Sequence, residues 1–407
     1  MTDLAAWCRS VVSHRPIPTA SQADALRRLV VVVPSRNRQD YLVRQVAWWG
    51  DTPARLLLVD GTDEVVDGRR SDLLTGFPNV EYRHEPTDLS TRLASAGRDL
   101  DRPYAVLCGD DEFLLPAGLA SAVEKLDREP ELAGCIGQAL RFYPTRRHRR
   151  LRFDMPYDYL RPRPDGSGAA ERILATMDGY DAANCYAVLR SDVWAGSWGR
   201  LEDWTCPTAV EAQQALAVHA RGPVGAVDDL YWLRSMENPP VDRIRRQFTL
   251  ARWWRSDADA EERGEFVDHL AHDLEAVGVA GGAEARTLAG QAVDALIGAT
   301  ERRNEAAGWE GGVAPVRGRS TARLRDLLTR CVPDGLHVAL GDLVDDLRRL
   351  VGRSTPGRYG GAARTARRVP NRIRAASPDL RRELVEIEGL VRGFHEARST
   401  GPGRSWR

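Results

Sequence analysis

Residues 104–118 read YAVLCGDDEFLLPAG. A short apolar run, Tyr104 to Cys108, stops at Gly109 and gives way to three consecutive acids, Asp110, Asp111 and Glu112. Phe113-Leu114-Leu115 follows, and Pro116-Ala117-Gly118 opens a helix-like stretch. A buried strand that delivers carboxylates at its carboxyl end stands where open α/β sheets place their ligands. Adjacent carboxylates repel by about 4 kcal/mol per pair at 4 Å with an effective dielectric near 20. A cation is expected to offset that repulsion, and hard oxygen ligands suit Mg²⁺ or Mn²⁺. The competing reading of the triplet is a solvated acidic turn.

The flanking sequence alternates short apolar strands with helical stretches, the mark of βαβ units and a parallel sheet. Leu29 to Val33 is uniformly apolar and reads as a strand buried on both faces, ending at Pro34-Ser35-Arg36-Asn37-Arg38. Tyr41, Leu42, Gln45, Val46 and Trp49 recur at helical spacing. Arg55 to Val59 is a second strand, closed by Asp60-Gly61-Thr62, and Val80 to Arg83 is a third, followed by a helix over 89–100. Beyond the acidic turn the pattern predicts a helix at 119–126, strand at 132–143, a long loop at 151–168 and a helix at 169–177. It then predicts a strand at 185–189, a helix at 209–219 and a last strand at 225–234. From about residue 245 the periodicity becomes helical throughout, with amphipathic stretches around 266–277, 324–328, 343–350 and 377–391. The expected domains are an extension at 1–24, an α/β domain at 25–245 and an all-helical domain at 246–407.

Composition narrows the function. The 407 residues carry 58 basic and 58 acidic side chains, so no global field draws the chain to nucleic acid or an anionic membrane. The arginine clusters at 146–150 and 353–374 lack interleaved aromatics and read as solvated or tethering segments. Six scattered cysteines without a CxxC pair argue against a structural zinc site and a disulfide framework. His269 and His272 lie on a helix without the HExxH spacing of a zinc protease. No run approaches the ~20 apolar residues of a membrane span, and the amino terminus lacks a signal-peptide pattern. The expectation is a soluble, cytoplasmic protein.

In order along the chain, VVVPSRNR (31–38), LLVDGT (57–62), LCGDDEFLLPAG (107–118), NCYAVLRSDVW (184–194) and VDDLYWLR (227–234) resemble the GT-A glycosyltransferases of the family 2 type. The resemblance covers roughly residues 28–240 and implies transfer of a sugar from a UDP-, GDP- or dTDP-sugar. On it, Pro34, Ser35 and Arg36 line the nucleotide pocket, and Asp60 meets the nucleobase or ribose. Asp110 and Asp111 face the ribose or sugar, Glu112 with Asp110 binds Mn²⁺ or Mg²⁺, and Arg92 and Arg234 approach the diphosphate. Asn184 and Tyr186 are implied to touch an acceptor whose identity the sequence does not disclose. The metal position departs from the family pattern, which more often has Asp where Glu112 stands.

The chemistry calls for the same groups. A diphosphate leaving group gains negative charge, which a cation stabilises, and the attacking hydroxyl needs a base. The family's base is an acid at the start of a late helix. Glu211, eleven residues before Gly222, fits best, with Asp203 of the Glu202-Asp203 pair second. Two other readings compete. One is a sugar-phosphate nucleotidyltransferase, whose Gly-rich, lysine-bearing loop is missing after the first strand. The other is a degenerate, non-catalytic nucleotide-sugar-binding partner protein. The helical domain is the expected surface for a homodimer.

Overall fold

The computed structural model describes residues 4–13, 19–144, 151–154, 168–180, 182–238, 250–306 and 378–399. The arginine clusters, residues 155–167 of the expected loop, the stretches around 324–328 and 343–350, and Cys331 lie outside the described residues.

The fold is α/β followed by helices, as the residue pattern predicts; among the described residues the sheet has nine strands and is mixed where the pattern predicted a parallel one. The strands are β1 Leu29–Ser35, β2 Arg55–Asp60, β3 Val80–His84, β4 Tyr104–Leu107, β5 Phe113–Leu114, β6 Gly134–Pro144, β7 Leu151–Asp154, β8 Val188–Arg190 and β9 Val224–Ser235. Their spatial order is β3-β2-β1-β4-β8-β6-β9-β5, with β7 on β6. The first four are mutually parallel, and β8 enters antiparallel between β4 and β6. The side chains of Val30 to Val33 and Leu56 to Val59 are wholly buried, because helices cover both sheet faces.

The chain leaves β1 towards β2 and β3, then returns to place β4 on the other side of β1. The carboxyl ends of β1 and β4 therefore form a switch point, the place where such sheets open a ligand crevice. The helix Pro116–Arg128 that follows the acidic turn packs tightly on β9. A Cβ on Gly118 would lie 2.3 Å from Tyr231 Cβ and 2.4 Å from the Leu230 carbonyl oxygen, so only glycine permits this approach.

Two local expectations are corrected. Cys185 is not in a strand: 182–186 forms a 3₁₀ turn, and β8 is confined to Val188–Arg190. The turn forms because the Tyr180 hydroxyl and the Cys185 thiol meet at 3.0 Å, holding the chain in a tight bend. Residues 151–154, expected in the long loop, form β7 on β6, and in the helical region Trp253 and Trp254 donate to carboxylates. Trp253 Nε1 reaches Glu262 at 2.7 Å and Trp254 Nε1 reaches Asp294 at 2.8 Å. Phe266 makes T-shaped contacts with both Trp204 and Trp253.

Helices Ala260–Ala276 and Gly282–Ala306 pack on each other and on helices Ala169–Asp178 and Pro207–Arg221. The last described helix, Pro378–Ser399, crosses back to helices Leu4–Ser13 and Gln39–Trp49, beside the first strand. Among the described residues no helix is long and apolar enough to cross a membrane.

Candidate active site

The acidic turn is built from behind by the helix Gln39–Trp49. Gln45 Nε2 donates to the carbonyls of Asp110 (2.9 Å) and Glu112 (2.8 Å), and Arg44 Nη2 to that of Asp111 (2.7 Å). Trp48 Nε1 holds the Leu114 carbonyl at 2.9 Å. A turn whose buried carbonyls are all engaged this way presents its carboxylates in one geometry.

In front, the end of β1 meets the end of β4. Ser35 Oγ donates to Asp110 Oδ2 at 2.8 Å, and Arg38 Nη1 donates to Asp110 Oδ1 at 3.1 Å. The same guanidinium lies 3.5 Å from Asp111 Oδ2, which also accepts from Asn238 Nδ2 at 2.6 Å. Asn37 makes this loop possible: its φ of 60° is left-handed, which asparagine tolerates, and its N–H is held by Thr62 Oγ1.

Glu112 faces the other way. Its Oε2 accepts from Trp232 Nε1 at 3.0 Å, Tyr186 hydrogen-bonds it, and Arg234 lies near. Tyr186 stacks on Trp232 with centroids 4.1 Å apart. Burial, reinforced by the Asp111 charge, pushes Glu112 up to about 8, against the pull of Trp232, Arg234 and Tyr186. Burial and Asp111 likewise raise Asp110 to about 6, with Arg38 and Ser35 opposing.

These shifts predict a pH dependence. A carboxyl raised in the folded state keeps its proton after the unfolded chain has released it, so stability declines as pH rises through that interval. For Glu112 the interval runs from about 4.5 to about 8, and for Asp110 from 3.8 to about 6. The melting temperature of the ligand-free protein is expected to fall between about pH 5 and about pH 8, and Glu112→Gln to flatten most of that fall. An unchanged slope in the variant would refute the assignment.

The expected Mn²⁺ or Mg²⁺ site can be tested on this donor set. Asp110 turns to Ser35 and Arg38, whereas Glu112 turns to an indole and a phenol. Among the described residues no group of three or more Asp, Glu, His or Cys side chains converges to hold a metal. As placed, Asp110 and Glu112 supply two carboxyl groups held by different partners, short of three converging side chains. Arg38 supplies the positive charge that the repelling acids need.

The other expected residues divide. Pro34 is half-buried and Arg36 exposed, with Arg36 Nη2 3.3 Å from Asp63. Asp60 is wholly buried and accepts from Thr62 N–H and hydroxyl, Gln39 Nε2 and Tyr82 OH, so its carboxylate organises the end of β2. Arg92 spends Nη1 on the carbonyls of Ser35 (2.7 Å) and Val59 (3.1 Å), clamping the ends of β1 and β2.

The two base candidates are separated. Glu211, on the helix Pro207–Arg221, accepts from Tyr180 OH at 2.9 Å and from the Cys185 thiol. Asn184, Cys185 and Tyr186 share one 3₁₀ turn, so that turn carries the contacts of both Glu211 and Glu112. Asp203 lies elsewhere, accepting from Ser90 Oγ at 2.9 Å. It lines a cleft of about 360 Å³ with Glu202, Trp204, Glu262, Glu265 and His269.

Sequence reasoning missed Gln45, Arg44, Trp232 and Asn238 as parts of this site. Gln45 carried a signal: a polar residue recurring in an otherwise apolar helix stripe needs buried partners.

No protein-family model matches the chain, and no curated protein matches it. Among solved structures, S. aureus TarS 1–349 is similar over 69% of this chain and 92% of that one, at 12% identity and a TM-score of 0.37. Its complex with UDP aligns over the same shares at 12% identity and a TM-score of 0.38. Its complex with UDP-GlcNAc does so at 10% identity and 0.37.

Proposed function

We propose that the chain is a nucleotide-sugar-dependent glycosyltransferase of the GT-A type. The observation that carries this reading is the meeting of Ser35 and Asp110 at the sheet's switch point, with Arg38 bridging Asp110 and Asp111. A nucleoside diphosphate sugar (UDP-, GDP- or dTDP-linked) seats its nucleoside along Pro34, Ser35 and Arg36, and Asp110 accepts from ribose or sugar hydroxyls. Arg36, Arg38 and Arg234 face the diphosphate as its bond to the sugar breaks. Glu211 takes the proton of the acceptor hydroxyl, whose oxygen attacks the anomeric carbon. The carbon–oxygen bond to the diphosphate breaks, its electron pair leaves with the nucleoside diphosphate, and the anomeric carbon inverts. Asn184 and Tyr186, on the turn beside Glu211, contact the acceptor.

One observation favours the non-catalytic alternative: the Glu112 carboxylate is committed to Trp232 and Tyr186. Binding and turnover separate the two readings. In a thermal-shift series with UDP, GDP, dTDP and CDP, each with EDTA or Mn²⁺, at least one nucleotide is expected to raise the melting temperature. Ligand at a hundredfold its Kd stabilises by about 2.7 kcal/mol. If none does so, the proposal fails; if one binds without any release of nucleoside diphosphate from its sugar conjugates, the non-catalytic reading replaces it. The Mn²⁺ arm decides whether a metal contributes.

A further inference from the structure

Behind the acidic turn lies an ion network that the proposed chemistry leaves unused. Arg44 is wholly buried, with its guanidinium over the rings of Tyr41, Phe113 and Phe394 at 4.5, 5.0 and 5.0 Å. Its Nη1 donates to Glu237 Oε2 at 2.6 Å, while Nη2 holds the Asp111 carbonyl. The Glu237 side chain is 3% exposed, and its second oxygen accepts from His395 Nε2 at 2.6 Å. Burial opposes ionisation of Glu237, but Arg44 and His395 overcome it and hold the carboxyl down at about 2. As an ionised carboxylate it only accepts, so the facing His395 nitrogen carries the proton.

The network ends on the site at two points. Arg44 fixes the Asp111 carbonyl, and Asn238, the residue after Glu237, fixes the Asp111 carboxylate. At its other end it belongs to helix Pro378–Ser399. That helix buries Phe394 against Trp7 and Tyr41, and Arg398 Nε reaches Asp40 at 3.1 Å. Glu383 on the same helix accepts from the Ala117 N–H at 3.1 Å, in the first turn of the helix that follows the acidic turn. A carboxylate shared by a buried arginine and a histidine has little freedom, because moving it strands a charge away from water.

We infer that the 378–399 helix completes the proposed donor site, with His395 as a positioning residue that acts through Glu237, Arg44 and Asn238 on Asp111. The inference rests on the proposed function, since it is the nucleotide that reads the position of Asp111 and of its neighbour Arg38.

The test uses the full chain and isothermal titration with UDP, GDP and dTDP at 25 °C, together with melting curves without ligand. His395→Leu is expected to weaken the nucleotide bound by the wild type about tenfold. His395→Gln, which keeps an N–H for Glu237, is expected to recover most of that loss. Arg398→Ala loosens the same helix without touching Glu237; it is expected to lower the melting temperature and leave Kd within about twofold. Wild-type affinity in His395→Leu overturns the inference. So does a loss that follows the melting temperature across all three variants, since that assigns the helix a structural role only. Should His395→Leu fail to fold, Asn238→Ala cuts the network at its half-buried end beside Asp111, and undiminished binding there has the same consequence. If the wild type binds no nucleotide, the proposed function falls first, and this inference with it.

Discussion

Glu211→Gln is expected to reduce sugar transfer by about 10²–10⁴-fold, the usual contribution of a positioned general base. The substitution is nearly isosteric. Its amide oxygen still accepts from Tyr180 OH, which now bonds Glu211 at 2.9 Å, so the local packing survives while the basic oxygen is lost. Glu211 also stands on a different element from Ser35, Arg38 and Asp110, so nucleotide affinity is expected to stay within about twofold. The measurement is initial-rate release of nucleoside diphosphate from the nucleotide sugar, paired with titration of the nucleotide alone. Asp203→Asn is the control: it faces the separate cleft beside Trp204 and His269 and is expected to leave the rate largely intact. Transfer at the wild-type rate in Glu211→Gln would hand the base role to another residue.

Glu237→Leu is expected to cost about 3–5 kcal/mol of stability, the range seen when one partner of a buried ion pair is removed. The reason is Arg44. Its guanidinium is wholly buried and cannot shed its proton, so without Glu237 it retains a charge that has lost its hydrogen-bonded counterion. A denaturant titration reads the loss as a lower midpoint at constant slope. Adding Arg44→Met removes the stranded charge and is expected to recover much of the deficit, giving a coupling energy in a double-mutant cycle. A single-variant loss below about 1 kcal/mol would contradict the buried-pair account.

The site was legible in part. The strand at Leu29–Val33, the acidic stop after Cys108 and the helix from Pro378 all follow from neighbouring residues, and each stands where the pattern put it. Asp60 illustrates the limit. Its place at the end of β2 and its neighbour Thr62 were readable, but its burial under Gln39 and Tyr82 was not, because those two partners come from other segments. Arg38 was visible as a loop arginine; that it bridges Asp110 and Asp111, 72 residues or more away, was not. Cys185 failed for a different cause. Apolar residues around it mimic a strand, whereas contacts with Tyr180 and Glu211 hold the chain in a 3₁₀ turn.

Alternating apolar strands and helical stripes were enough to specify an α/β chain with carboxylates at a strand end, since strand, turn and helix preferences act over a few residues. Which charges meet was settled by folding alone: Arg44 with Glu237 across 193 positions, and Glu237 with His395 across 158. Such pairings depend on how elements cross in space and on which groups lose their water together. No local pattern in the chain encodes either.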